Sequence, residues 1–180
     1  MPALIQIRAA FAYEGALPLS LLRLKWQGRD DLAGPLGGLL APLLQDALTR
    51  CDVVVPVPLH PSRLRARGYN QAALLLHEGL RAQPAREDPH RGRARRVAAP
   101  LLVRTLASPP ARAHGPQARA LRVAGTFAVP PRLAPGVRGR RILLVDDVVT
   151  TGATVSACAA ALHAAGAAHI EAVALLRAAG

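Results

Sequence analysis

The sequence predicts an α/β domain with a central, mostly parallel sheet flanked by helices. Three observations carry this expectation. Short β-branched runs alternate with Ala- and Leu-rich helical patterns, two of the runs read as buried strands, and 180 residues is the size of one ordinary globular domain. A single domain over 1–180 is therefore expected.

The elements follow in chain order. "IQIRAAFAY" reads as an edge strand and "LPLSLLRLKWQ" as a short helix. "DDLAGPLGGLLAPLLQDALTR" has apolar residues at helical spacing, with Pro35 and Pro42 blurring its boundaries. "CDVVVPVPL" is a buried strand that runs into a proline-stiffened loop, and "NQAALLLHEGLRA" is a helix. "RILLVDD" is the second buried strand, "TGATVSACAAALHAAGA" a helix ending near Gly166, and "HIEAVALLRA" a final strand. Residues 82–96 and 107–122 lack an apolar face and read as exposed loops, the second of them mobile.

Composition narrows the function less than it first promises. The chain carries 23 basic and 11 acidic residues, a net charge of +12. Such a balance suits nucleic acid, an acidic membrane surface or a phosphate ester, and an Ala/Arg/Pro-rich composition accounts for it equally well. Lys25 is the sole lysine, retained either for its compact head group or by chance. Cys51 and Cys158 stand far apart without metal-ligand spacing, which argues against a zinc site or a disulfide framework and fits a reducing cytoplasm. The N-terminus does not look like a secretory signal, and the most apolar window is too short and broken to span a bilayer. A cytoplasmic protein without membrane insertion is expected.

The chemistry concentrates in "RILLVDDVVTTGAT", residues 141–154. Ligands of open α/β sheets bind beyond the carboxyl ends of the strands, where this segment places its polar residues. A helix starting near Thr151 presents unpaired N–H groups and the positive end of its dipole. Thr150, Thr151 and Thr154 add hydroxyls, and Gly152 admits a close approach, so Thr150, Thr151, Gly152, Ala153 and Thr154 suit a phosphate monoester. Asp146 and Asp147, just upstream, can accept hydrogen bonds from vicinal hydroxyls or help hold a divalent cation. Phosphate at one end and diol at the other describe a ribose 5-phosphate. A plain helix cap beside arginine-paired aspartates would explain Thr-Thr-Gly alone, but explains the whole stretch poorly.

Upstream, "PVPLHPSRLRARGYN" reads as a stiff turn with His60, Arg63, Arg65 and Arg67 before a helix. Guanidinium groups and backbone amides there suit a doubly charged group such as pyrophosphate; a solvated basic turn is the plainer alternative.

"ILLVDDVVTTGAT" resembles the phosphoribosyl-pyrophosphate (PRPP) motif of type I phosphoribosyltransferases. "VVVPVPLHPSRLRARGYNQAALL" and "YEGALPLSLLRLKWQGRDDLAGPLGGLLA" are similar to the ComF/GntX-like branch of that fold, and the likeness covers nearly the whole chain. The resemblance implies a type I phosphoribosyltransferase fold with a small N-terminal hood at about residues 1–30. It implies that Asp146 and Asp147 contact the ribose hydroxyls, with Mg²⁺ accompanying PRPP. It also implies a 5-phosphate cradle at Thr150 to Thr154 and a pyrophosphate loop at Pro58, Leu59, His60 and Arg63, with Arg67 close by. A loop bearing Arg104, Thr105 and Arg119 would close over the reaction centre.

Two departures from the family pattern stand out. The four-cysteine zinc module common in this branch does not precede Tyr13, so no structural zinc is expected. In the closing loop Arg122 stands where Asn is usual, and Gln117 is displaced. Two functions remain in view. One is Mg-dependent phosphoribosyl transfer from PRPP to an unidentified acceptor. The other is a non-catalytic module that binds single-stranded DNA or DNA-uptake partners, as the family's link with natural competence and transformation implies.

Overall fold

The computed structural model describes residues 6–83, 100–105 and 125–178. Four parallel strands make the central sheet: β1 (Gln6–Ala12), β2 (Val53–Pro56), β5 (Arg141–Val149) and β6 (His169–Arg177), in the order β1-β6-β5-β2. A second, antiparallel pair joins β3 (Val103–Arg104) to β4 (Phe127–Ala128). The helices are α1 (Leu17–Trp26), α2 (Ala33–Leu48), α3 (Pro61–Arg67), α4 (Gln71–Arg81) and α5 (Ala153–Ala164). Most of the loop predicted at 82–96 and all of that at 107–122 lie outside the described residues, Arg119 among them.

The strands at the middle of the sheet are apolar because both of their faces are covered. Ile142 and Leu144 of β5 pack with Ile170 and Ala172 of β6 against Val155, Cys158 and Leu162 of α5. Leu143 and Val145 face the other way, against Leu21 and Leu24 of α1, Leu40 and Leu44 of α2, and Leu75 and Leu76 of α4. The period of two along β5 thus feeds two separate cores. Each fully buried Leu or Ile here contributes roughly 1.5–3 kcal/mol relative to exposure.

β1 is the edge strand that its sequence predicts, paired in parallel with β6 from Gln6↔Glu171 to Ala12↔Arg177. Residues 6–12 therefore extend the main sheet, and α1 follows them across one of its faces. Two elements differ from the expectation. β5 does not stop at the aspartates but runs on through Val148 and Val149, whose β-branched side chains favour it. "PSRLRAR" is a short helix rather than a turn, since His60 caps it and Pro61 opens it with a preset φ.

The topology fixes where a ligand can enter. β2 and β5 are neighbours, paired from Val53↔Ile142 to Pro56↔Val145. The helix α4, downstream of β2, packs on one face of the sheet, and α5, which follows β5, packs on the other. Chains leaving two adjacent strands for opposite faces open a crevice at the carboxyl edge, the switch point at which α/β sheets bind ligands.

Candidate functional site

A solvent-open cleft of about 240 Å³ lies at that edge, lined by Asp146, Val148 and Val149 of β5, by Thr150, Thr151 and Gly152, and by Ala153, Thr154 and Val155 of α5. The predicted phosphate residues are thus brought together with one of the two carboxylates. Gly152 is the N-cap of α5 and sits at φ +78°, in the left-handed region where a β-carbon is strained. A β-carbon on it would also meet Cδ1 of Ile7 at 3.1 Å. The turn puts the start of the helix, Ala153 to Val155, on the cleft wall, and the Ala153 N–H is held by the Thr151 hydroxyl at 3.4 Å.

The two aspartates are buried, at 8% and 4% exposure, and they do different things. Asp146 lines the cleft, and its charge is felt by Cys158 in α5 and by Arg104 in β3. Its Oδ1 accepts the Asp147 N–H at 2.9 Å. Burial, and then the neighbouring Asp147 carboxylate, push its carboxyl well above the usual range, while Lys25 opposes the shift. Asp147 turns toward the other layer. Its Oδ2 meets the ammonium of Lys25 in α1, its Oδ1 accepts the Val148 N–H at 2.9 Å, and its charge is felt by Arg67.

Lys25 is well placed to do this. Leu21 and Leu24 anchor α1 in the core, and the hydroxyl of Tyr69 donates to the carbonyl of Leu24, the residue before it. The sequence held a signal for this contact, a single lysine among arginines, but not the identity of its partner.

Around the acidic residues stand the predicted cations. Arg63 is exposed on α3, and its charge depresses both Arg67 and Arg104, so the three guanidinium groups lie within electrostatic reach of one another. Arg67 is half-buried; its guanidinium stacks on Trp26, 4.7 Å from the ring centroid, and donates to Gln71. Arg104 lies over Phe127 at 5.3 Å, and burial is the largest cause of its lowered pKa. Thr105 bonds the carbonyl of Thr126 through its N–H at 2.9 Å, closing the base of the predicted loop. Pro58, Leu59 and His60 are half-buried between β2 and α3. His60 is turned to its own helix, with Nδ1 2.7 Å from the Ser62 hydroxyl. The loop after β2 is pinned from below, since the Asn70 side chain donates to the Val57 carbonyl at 3.0 Å while capping α4.

The donor set suits a hard divalent cation shared with a ligand. One cleft carboxylate, with phosphate and hydroxyl oxygens of a substrate, fits the way Mg²⁺ is commonly held. Among the described residues no cluster of three or more His, Cys, Asp or Glu could form an all-protein metal cage. Both cysteines are buried free thiols; burial pushes Cys51 up to about 11 and raises Cys158 as well.

Comparison with known proteins bears directly on this geometry. Residues 103–180, which contain β5, the cleft turn and α5, match the family model described as the phosphoribosyl transferase domain. The chain is also 32% identical over 172 residues to the DNA utilization protein YhgH of Escherichia coli O157:H7, covering 90% of this chain and 68% of that protein. The chain belongs to the ComF/GntX-like family of phosphoribosyltransferase-fold proteins. No solved structure matches it. The parallel sheet flanked by helices is the type I fold expected from the sequence. No helix among the described residues is long and apolar enough to cross a membrane.

Proposed function

We propose that the chain binds PRPP and, with Mg²⁺, transfers its phosphoribosyl group to a nitrogen acceptor. The observation that carries this reading is the cleft itself: a buried carboxylate and a Thr-Thr-Gly-x-Thr helix start share one small pocket at the switch point. The 5-phosphate would sit against the N–H groups of Gly152 to Thr154 and the hydroxyls of Thr150, Thr151 and Thr154. Asp146 would accept from a ribose hydroxyl or reach the cation. Arg63, with Arg67 and Arg104 near it, would hold the departing pyrophosphate.

The chemistry needs no protein nucleophile. The bond from C1 to the pyrophosphate oxygen breaks, the bond from C1 to the acceptor nitrogen forms, and the displaced proton passes to solvent. When bound, Mg²⁺ supplies charge neutralisation at the pyrophosphate oxygens. The protein's part is to hold donor and acceptor in register and to place charges around an oxocarbenium-like C1. The test is a screen of nitrogenous acceptors for PRPP-dependent pyrophosphate release. Release with one acceptor class, lost in Asp146→Asn, supports transfer; PRPP binding without release by any acceptor confines the protein to a ligand-binding role.

A second reading has its own support. The relative is called a DNA utilization protein, the net charge is +12, and Phe11, Tyr13 and Trp26 are exposed. Single-stranded DNA binding, with partners in DNA uptake, would use such charge and such stacking faces. Affinity measured against salt separates a stacked complex from simple charge neutralisation, because only the latter vanishes as salt rises.

A further inference from the structure

We propose that Lys25 is a built-in counter-cation of the acidic pair, which lets the cleft take a phosphate ester without a divalent cation. The proposal rests on the reading of the cleft as a phosphoribosyl site and adds to it a residue on the opposite side of the sheet.

The argument starts from charge. Asp146 and Asp147 are adjacent and both buried, so uncompensated negative charge on the pair would oppose any anion entering the turn at Thr150 to Thr154. A substrate-borne divalent cation is one remedy. Here a fixed one is present, since the Lys25 ammonium lies on Oδ2 of Asp147. The Lys25 side chain is 18% exposed and that of Asp147 6%, so water screens the pair weakly. The ammonium is delivered by a rigid element, because Leu21, Leu24 and the Tyr69 hydroxyl fix the end of α1.

The residue type fits the task. A lysine head group is a compact point charge that neutralises one carboxylate without forking toward a second acceptor. Arg67, whose guanidinium also feels Asp147, is committed to Trp26 and Gln71. Lys25 is therefore a positioning residue: it touches Asp147 and acts on the ligand through the charge of the pair.

The test is calorimetric titration of the folded chain with ribose 5-phosphate and with PRPP, each in EDTA and in Mg²⁺. Wild type is expected to bind both ligands in EDTA. Lys25→Met is expected to weaken binding in EDTA by at least about tenfold and to recover most of it in Mg²⁺. Lys25→Arg keeps the charge and is expected to keep binding in EDTA within a few-fold of wild type. Wild type that binds only with Mg²⁺ overturns the proposal and leaves the site reading intact; this arm needs no variant to fold. Lys25→Met that matches wild type in EDTA, or that Mg²⁺ does not rescue, also overturns it, as does a loss in Lys25→Arg as deep as in Lys25→Met. Absence of binding by wild type in both media removes the site reading itself.

Discussion

The ammonium of Lys25 and the carboxylate of Asp147 form an ion pair that ties the first helix to the strand carrying the cleft. It gives the two aspartates different duties, with Asp147 engaged in the protein and Asp146 open to the cleft. This division has consequences for stability as well as for binding.

Asp146→Asn should make the protein more stable while it loses the ligand. Replacing one of two adjacent buried carboxylates with a neutral isostere removes a like-charge repulsion and a desolvation cost. A gain on the order of 1 kcal/mol is expected, or roughly 2–4 °C in Tm for a chain of this size. Thermal melts of the two proteins with and without PRPP check both halves. A variant that melts lower than wild type without ligand would show that Asp146 is structural.

Gly152→Ala should cost stability through the backbone. The position is left-handed at φ +78°, and the Ile7 methyl at 3.1 Å has to shift for the new β-carbon. Strain of about 1–2 kcal/mol is expected, seen as a Tm roughly 2–8 °C lower. Phosphate-ester affinity should fall with it, because the start of α5 shifts in the cleft wall. An unchanged melt would mean that the turn relaxes.

Gly37→Ala should be worse, and for a different reason. At the crossing of α2 and α4, a β-carbon on Gly37 would lie 2.6 Å from Cβ of Glu78 and 2.8 Å from the backbone nitrogen of Gly79. Neither atom is the end of a flexible chain, so the helices must move apart, at about 1–3 kcal/mol or more. Gly38→Ala is the control, with nothing within 4 Å of its β-carbon, and should stabilise by about 0.5–1 kcal/mol. Chemical denaturation of the two variants should move in opposite directions.

The opposite end of the sheet should govern acid stability. Glu171 is buried; burial raises its carboxyl, but His169 at 3.0 Å and Arg50 at 3.4 Å outweigh that and hold it below the ordinary value. Asp46, bonded by Arg50 and Arg8, is lowered to about 2. A carboxylate whose folded pKa is depressed stabilises above its unfolded pKa and loses that contribution as pH falls through the folded one. The stability curve should therefore fall below about pH 4.5, the ordinary glutamate value, and go on falling toward about 2. Glu171→Gln should be destabilised by roughly 1–2 kcal/mol at neutral pH, with the gap to wild type closing in acid. A constant gap across that range would contradict the assignment.

What the sequence reveals of this architecture follows from the range of each interaction. β5 and α5 are legible because an apolar run, a Thr-Thr-Gly and an Ala-rich helix lie in one continuous stretch. β1 is legible as an edge because its apolar character is partial. The helix α3 carried its own signal, with His60 before Pro61 and Gly68 just past its end, yet its arginines give it a turn-like composition and no buried side. Pro42 sits inside α2, where packing against the sheet outweighs the cost of a proline. The partner of Lys25 is not legible at all, since the contact joins segments far apart in the chain and depends on how α1 lies across the sheet.

If Asp146 and the turn at Thr150 to Thr154 form a PRPP site, calorimetric titration of PRPP in Mg²⁺ into wild type, Asp146→Asn and Thr151→Ala should show it. Saturable one-to-one binding to wild type is expected, with an affinity at least about tenfold weaker in each variant. No heat of binding to wild type, or binding that neither substitution changes, would contradict it.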